Sequence, residues 1–210
     1  MRTRVKVCGL TNPADALMAR EAGADFLGLI LTESPRRVSM SEAKTIRAAL
    51  PEDAAVIGVF ADEDPETVAP FVRDLRLRAV QVSGWADREH GLDCEVWHVL
   101  RAAELPDPVT LPMIPLRTYL LDAHDAKLPG GTGARSDWTW ARRCVEVGRR
   151  LIVAGGLHAD NVAPLVRDVR PFGVDASSGL EAEVRRKDPR KVRAFLDRIR
   201  EADRDRPKRS

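Results

Sequence analysis

Arg4-Val5-Lys6-Val7-Cys8-Gly9-Leu10-Thr11-Asn12-Pro13 packs a β-branched run, a glycine turn and a helix-start signal into one short stretch. Val5 and Val7 alternate with Lys6 and Cys8, the two-residue period of a strand. Asn12 is a helix N-cap residue, and Pro13 takes the first helical position, where a missing N–H costs nothing. The helix covers residues 14–22. Gly23 closes it as a C-cap glycine, and a second apolar run spans residues 25–31.

Outward from this stretch the same unit recurs. Further strands are predicted over residues 54–60, 79–82, 95–100, 118–121, 151–154 and 172–175, making eight with the first two. Ser39 and Glu42 form a capping box before the helix at 43–50. Glu63-Asp64-Pro65 opens a helix at 66–74, Ser136 opens one at 137–147, and Asp160 falls in the first turn of one running to Asp168. Alternating strands and helices argue for a parallel sheet covered by helices on both faces. Eight units in 210 residues close a single eight-stranded parallel β/α barrel of the TIM type, near its lower size limit of about 200 residues. An open doubly wound sheet is the alternative, and eight repeats fit it less well. The fifth helix is expected to be short or missing, because Pro106, Pro108, Pro112 and Pro115 crowd residues 102–116. One catalytic domain is expected over residues 1–202, with a charged, disordered tail at 203–210.

The 34 Lys and Arg nearly balance the 32 Asp and Glu, for a formal charge of +2. That balance points to neither nucleic acid nor a membrane surface as partner. Hydrophobic residues at 44% and charged ones at 31% make a globular composition. Apolar runs such as 26–31 and 54–61 have strand length, well short of the ~20 residues of a membrane span. Met1-Arg2-Thr3-Arg4-Val5 shows no apolar secretory region. Cys8, Cys94 and Cys144 are odd in number and lack paired or metal-ligand spacing, which fits reduced thiols. The expectation from composition is a soluble, cytoplasmic, globular protein.

A β/α barrel builds its site from strand ends and the loops after them. That rule selects Cys8-Gly9-Leu10-Thr11, Asp122, Gly130-Gly131-Thr132-Gly133, Gly155-Gly156 and Asp175-Ala176-Ser177-Ser178-Gly179. A glycine pair alone can simply turn the chain. Three clusters at one end of adjacent units point instead to a phosphate held on backbone amides. Cys8 is either a packed thiol or a thiolate base or nucleophile. Lys6, two residues away on the same side of the strand, could favour that thiolate, form a Schiff base, or pair with Asp175 while Gln81 adds hydrogen bonds. Asp122 follows two leucines, so it is either a proton donor raised by desolvation or a loop cap. Arg36 or Arg37 could clamp a carboxylate through the guanidinium fork.

These residues in this order resemble the phosphoribosylanthranilate isomerase family, from Val5 to about Arg198. The resemblance rests on Val5-Lys6-Val7-Cys8-Gly9-Leu10-Thr11-Asn12, Gly58-Val59-Phe60, Leu121-Asp122, Gly130-Gly131-Thr132-Gly133 with Asp137-Trp138, and Ala154-Gly155-Gly156-Leu157. It continues through Arg170-Pro171-Phe172-Gly173-Val174-Asp175-Ala176-Ser177-Ser178-Gly179-Leu180-Glu181, with Lys187-Asp188-Pro189 beyond. It implies an enzyme, monomer or homodimer, that carries out an Amadori rearrangement of the small molecule N-(5-phosphoribosyl)anthranilate in tryptophan biosynthesis without metal or organic cofactor. By the same resemblance Asp122 is the general acid and Cys8 the general base. Arg36 faces the anthranilate carboxylate, and Gly131, Gly133, Gly155, Gly156, Asp175, Ser177, Ser178 and Gly179 hold the rest of the substrate. Two segments depart from the family pattern: Gly28-Leu29-Ile30-Leu31-Thr32-Glu33-Ser34-Pro35-Arg36-Arg37 is one residue shorter than usual and lacks the usual aromatics, and Ser83 stands where the family has histidine. The alternatives are a barrel enzyme acting on a different phosphorylated aminosugar, a non-catalytic phosphoribosyl-ligand binding protein, and a Schiff-base aldolase on Lys6.

Overall fold

A computed structural model describes residues 2–83, 91–101, 105–113, 117–122 and 138–205. Its strands are β1 (Arg4–Val7), β2 (Phe26–Ile30), β3 (Val56–Val59), β4 (Ala79–Val82), β5 (Glu95–Arg101), β6 (Thr118–Asp122), β7 (Arg150–Ala154) and β8 (Gly173–Ala176). Each runs parallel to the next, and β1 pairs with β8 to close the barrel. The open-sheet alternative is thereby excluded. The helices are α1 (Pro13–Ala22), α2 (Met40–Ala49), α3 (Pro65–Leu75), α4 (Thr139–Glu146), α5 (Val162–Val169) and α6 (Pro189–Arg204). A small hairpin, β9 (Glu181–Glu183) and β10 (Arg186–Lys187), lies between β8 and α6.

The strand period sorts the side chains into two cores. Ile57, Ala79, Trp97, Leu120 and Ile152 fill the barrel, while Tyr119, Leu121, Leu151 and Val153 pack in the outer layer. Phe26 meets Trp97 edge-on at 4.9 Å, and the Arg150 guanidinium sits 4.0 Å over Phe172. These aromatic contacts plug the barrel at the strand starts and leave the other end to the loops.

Local signals set the helix ends. Asn12 accepts from the Asp15 N–H at 2.9 Å, and Gly23 takes φ +105°. Ser39 and Glu42 complete the capping box. α5 begins at Val162, so Asp160 precedes it rather than lying in its first turn. The expected opening of α4 at Ser136 lies outside the described residues, and the helix is described from Thr139. In the fifth unit a 3₁₀ turn, Pro108–Thr110, stands where a helix would be. The prolines cannot supply the N–H groups of a helix, and side chains provide donors instead. Arg149 donates to the Pro108 and Val109 carbonyls at 3.3 and 3.0 Å, and Trp140 to Pro106 O at 2.8 Å.

The first residues of the tail expected over 203–210 are helical. α6 includes Asp203 and Arg204, and Asp203 accepts from Thr3 N and Thr3 Oγ1 at 2.8 and 2.9 Å. Residues 206–210 lie outside the described residues. Among the described residues, no helix is long and apolar enough to cross a membrane.

Candidate active site

The open end of the barrel holds a cavity of about 330 Å³. Cys8, Arg36, Asp122, Gly155, Gly156, Asp175, Ser177, Ser178 and Gly179 all line it, joined by Ile30, Gln81 and Leu120. Two hollows of about 390 and 380 Å³ lie on the helical exterior among surface ion pairs, and no such set of groups converges on them. Gly131 and Gly133, expected in the site, lie outside the described residues. Arg37 is exposed and absent from the cavity lining. Of the two candidate arginines, the fold delivers Arg36.

β1 positions Lys6 and Cys8 on the barrel interior. Lys6 is fully buried, and its Nζ donates to Asp175 Oδ2 at 2.8 Å. Burial opposes the lysine's charge, but Asp175 and Cys8 outweigh it and hold the ammonium above its ordinary pKa. A lysine so paired is a poor Schiff-base nucleophile, which needs a neutral amine. Burial pushes the Cys8 thiol up, with Lys6 opposing. Gly28 makes room for that thiol: a Cβ there would lie 2.8 Å from Cys8 Sγ. Gln81 does not meet the expectation set for it. Its Oε1, like Asp175 Oδ1 and Ser177 Oγ, is buried without a hydrogen-bond partner among the described residues.

Asp122 ends β6 two residues after Leu120, so the strand period turns it to the barrel interior. It is half-buried at the rim of the cavity. Beyond β7, Gly155 and Gly156 take φ +98° and +61°, a region that side chains other than glycine enter at a cost. After β8, a Cβ on Gly179 would collide with Leu157 O. The two glycine loops thus touch backbone to backbone beside the 3₁₀ turn Ser178–Leu180.

Glu181, at the start of β9, is the residue that sequence reasoning left without a role. Its carboxylate takes Arg36 Nε and Nη2 at 2.7 and 2.6 Å, and Lys187 Nζ at 3.1 Å. Burial raises such a carboxyl, but the Arg36 and Lys187 partners overcome it and hold Glu181 below its ordinary pKa. Arg36 and Glu181 are 145 residues apart in the chain, so no local signal joins them. Among the described residues, no group of His, Cys, Asp and Glu is placed to hold a metal ion.

Comparison with known proteins gives this geometry a family. Residues 5–198 match the model of N-(5'-phosphoribosyl)anthranilate (PRA) isomerase. The isomerase of that name from Trichlorobacter lovleyi is 41% identical over 204 residues, covering 95% of this chain and 98% of that protein. The one from Geotalea daltonii is 40% identical over 205 residues, at 95% and 97%. The crystal structure of the Thermotoga maritima enzyme has a TM-score of 0.83 at 31% identity, covering 95% of this chain and 99% of that one. A phosphoribosylanthranilate isomerase in complex with reduced 1-(o-carboxyphenylamino)-1-deoxyribulose 5-phosphate has a TM-score of 0.79 at 29% identity, with the same coverage. A barrel with this strand order, this cavity and relatives alike over nearly their whole length belongs to the N-(5'-phosphoribosyl)anthranilate isomerase family.

Proposed function

We propose that Asp122 is the general acid and Cys8 the general base in the Amadori rearrangement by which this isomerase of tryptophan biosynthesis works. The substrate is N-(5-phosphoribosyl)anthranilate, and the product is 1-(2-carboxyphenylamino)-1-deoxyribulose 5-phosphate. The observation that carries the assignment is the convergence of Cys8 from β1, Asp122 from β6 and the glycine loops after β7 and β8 on one cavity.

Asp122 gives its proton to the ring oxygen as the C1–O bond breaks, leaving a hydroxyl at C4 and a positively charged Schiff base. That charge acidifies the C2 proton, which Cys8 removes as thiolate. Lys6, beneath the thiol, favours the ionised sulfur against its burial. The enolamine then tautomerises, C1 gaining a proton and the C2 hydroxyl losing one, to give the ketone. Each positioned proton transfer is typically worth about 10²–10⁴ in rate. The substrate nitrogen serves as electron sink, so the steps use no cofactor.

The phosphate rests on amides of Gly155, Gly156, Ser178 and Gly179; Gly131 and Gly133, which the resemblance adds to this set, lie outside the described residues. Arg36 takes the anthranilate carboxylate. Asp175 Oδ1, Gln81 Oε1 and Ser177 Oγ, without partners among the described residues, meet sugar hydroxyls, since buried polar atoms seek partners. On this reading the enzyme works in the cytoplasm as a monomer or homodimer. The test is the fluorescence decay of phosphoribosylanthranilate made in situ from anthranilate and phosphoribosyl pyrophosphate. Decay faster than spontaneous hydrolysis, lost in Asp122→Asn and in Cys8→Ala and with the ribulose product identified, supports the assignment. No acceleration, or undiminished decay in either variant, overturns it.

A further inference from the structure

We infer that Glu181 is a positioning residue for substrate recognition, fixing Arg36 so that one guanidinium edge is committed to the protein and the other reads the substrate carboxylate. The inference rests on the reading that Arg36 takes that carboxylate.

The two bonds from Arg36 Nε and Nη2 to the Glu181 oxygens, at 2.7 and 2.6 Å, form the paired arrangement that fixes a guanidinium in its own plane. Glu181 is itself held. Lys187 Nζ reaches its Oε1 at 3.1 Å and Ser177 O at 3.1 Å, and Lys191 Nζ donates to its carbonyl at 2.7 Å. At the other end, the Arg36 N–H donates to Ser34 Oγ at 3.1 Å, and the Arg36 stem passes over Gly9. A Cβ on Gly9 would stand 2.7 Å from Arg36 Cδ. The arginine is therefore fixed at backbone, stem and head.

The unused edge, Nη1 with the second hydrogen of Nη2, makes no hydrogen bond among the described residues, while Arg36 lines the cavity with Cys8. Two cations, Arg36 and Lys187, share the single Glu181 carboxylate. One carboxylate cannot neutralise both, so net positive charge is left to face a substrate carboxylate. A guanidinium already immobilised loses little freedom on binding, so the pair adds affinity for a carboxylate and nothing for the phosphate.

The experiment compares two ligands on each protein: reduced 1-(o-carboxyphenylamino)-1-deoxyribulose 5-phosphate and the same compound lacking the ring carboxyl. The proteins are wild type, Arg36→Ala, Glu181→Gln and the double variant. Because both ligands are titrated on one preparation, a partly unfolded variant does not distort their ratio. Glu181→Gln should weaken the carboxylated ligand about tenfold, the size of losing a charge-assisted bond, and leave the other within about twofold. For turnover it should raise KM more than it lowers kcat. The double variant should lose no more than Arg36→Ala alone. Equal weakening of both ligands by Glu181→Gln, or additive losses in the double variant, would make Glu181 merely structural and overturn the inference. If Arg36→Ala itself fails to separate the ligands, the underlying reading of Arg36 falls, and the inference falls with it.

Discussion

Lys6 Nζ lies 2.8 Å from Asp175 Oδ2 where β1 and β8 meet in register, and the pair sits two residues along the strand from Cys8. Both side chains are buried, 0% and 7% exposed. A buried charge is tolerated only with its partner, and removing one side of such a pair typically costs about 3–5 kcal/mol. Lys6→Met should lower unfolding stability by about that amount, and adding Asp175→Leu should recover much of it. Urea titrations of the three proteins check this. Equal stability of Lys6→Met and wild type would show that the pair contributes nothing.

The glycine at position 28 predicts a separable defect. A methyl there would press on Cys8 Sγ at 2.8 Å and Cys8 Cα at 3.0 Å. Gly28→Ala should lower kcat while KM changes little, with a stability loss of about 1–3 kcal/mol from overpacking. Steady-state kinetics beside thermal melts reads both, and an unchanged kcat would argue that the Cys8 position is not critical.

Cys8 also predicts the shape of the pH profile. Its thiol is raised above the ordinary value by burial, and a base acts only once deprotonated. kcat/KM should therefore climb with pH through an alkaline limb lying above the ordinary thiol range, because that parameter reports the free enzyme. A profile flat through the alkaline range would assign the base elsewhere.

Acid should loosen the fold through two carboxylates. Burial raises Asp25, but Arg2, Arg4 and the Val5 N–H outweigh it, so its pKa lies below the ordinary value. Glu181 is lowered likewise by Arg36 and Lys187 against its burial. A folded-state pKa below the unfolded one gives stability that is present above the unfolded value and lost as pH falls through the folded one. Tm should hold near neutrality and drop below about pH 4, the ordinary carboxylate range. Asp25→Asn should lower the neutral Tm and make the acid drop shallower. An acid drop of unchanged depth in Asp25→Asn would place the loss elsewhere.

Much of this was legible in the residues. The eight strands announce themselves by period two and by apolar runs such as Leu151-Ile152-Val153, and the capping residues mark α1 and α2. Asp122 and Cys8 could be placed because a strand's alternation fixes which side its end faces. What stayed hidden depends on contacts between distant segments. Arg36 and Arg37 are equivalent in a loop until Glu181, far along the chain, takes one of them. Asp203 reads as part of a charged tail until Thr3 binds it across 200 residues. The prolines of the fifth unit rule out a helix, but nothing near them shows that Arg149 and Trp140 will satisfy its carbonyls.

The division of labour between Asp122 and Cys8 is tested most directly by turnover of phosphoribosylanthranilate carrying hydrogen or deuterium at ribose C2, in wild type, Asp122→Asn and Cys8→Ala. Both variants should lose about 10²–10⁴ in kcat. The isotope effect should shrink in Asp122→Asn, where ring opening limits the rate, and be largest in Cys8→Ala, where C2–H cleavage does. Undiminished turnover in Cys8→Ala, or a full isotope effect in Asp122→Asn, would contradict the assignment.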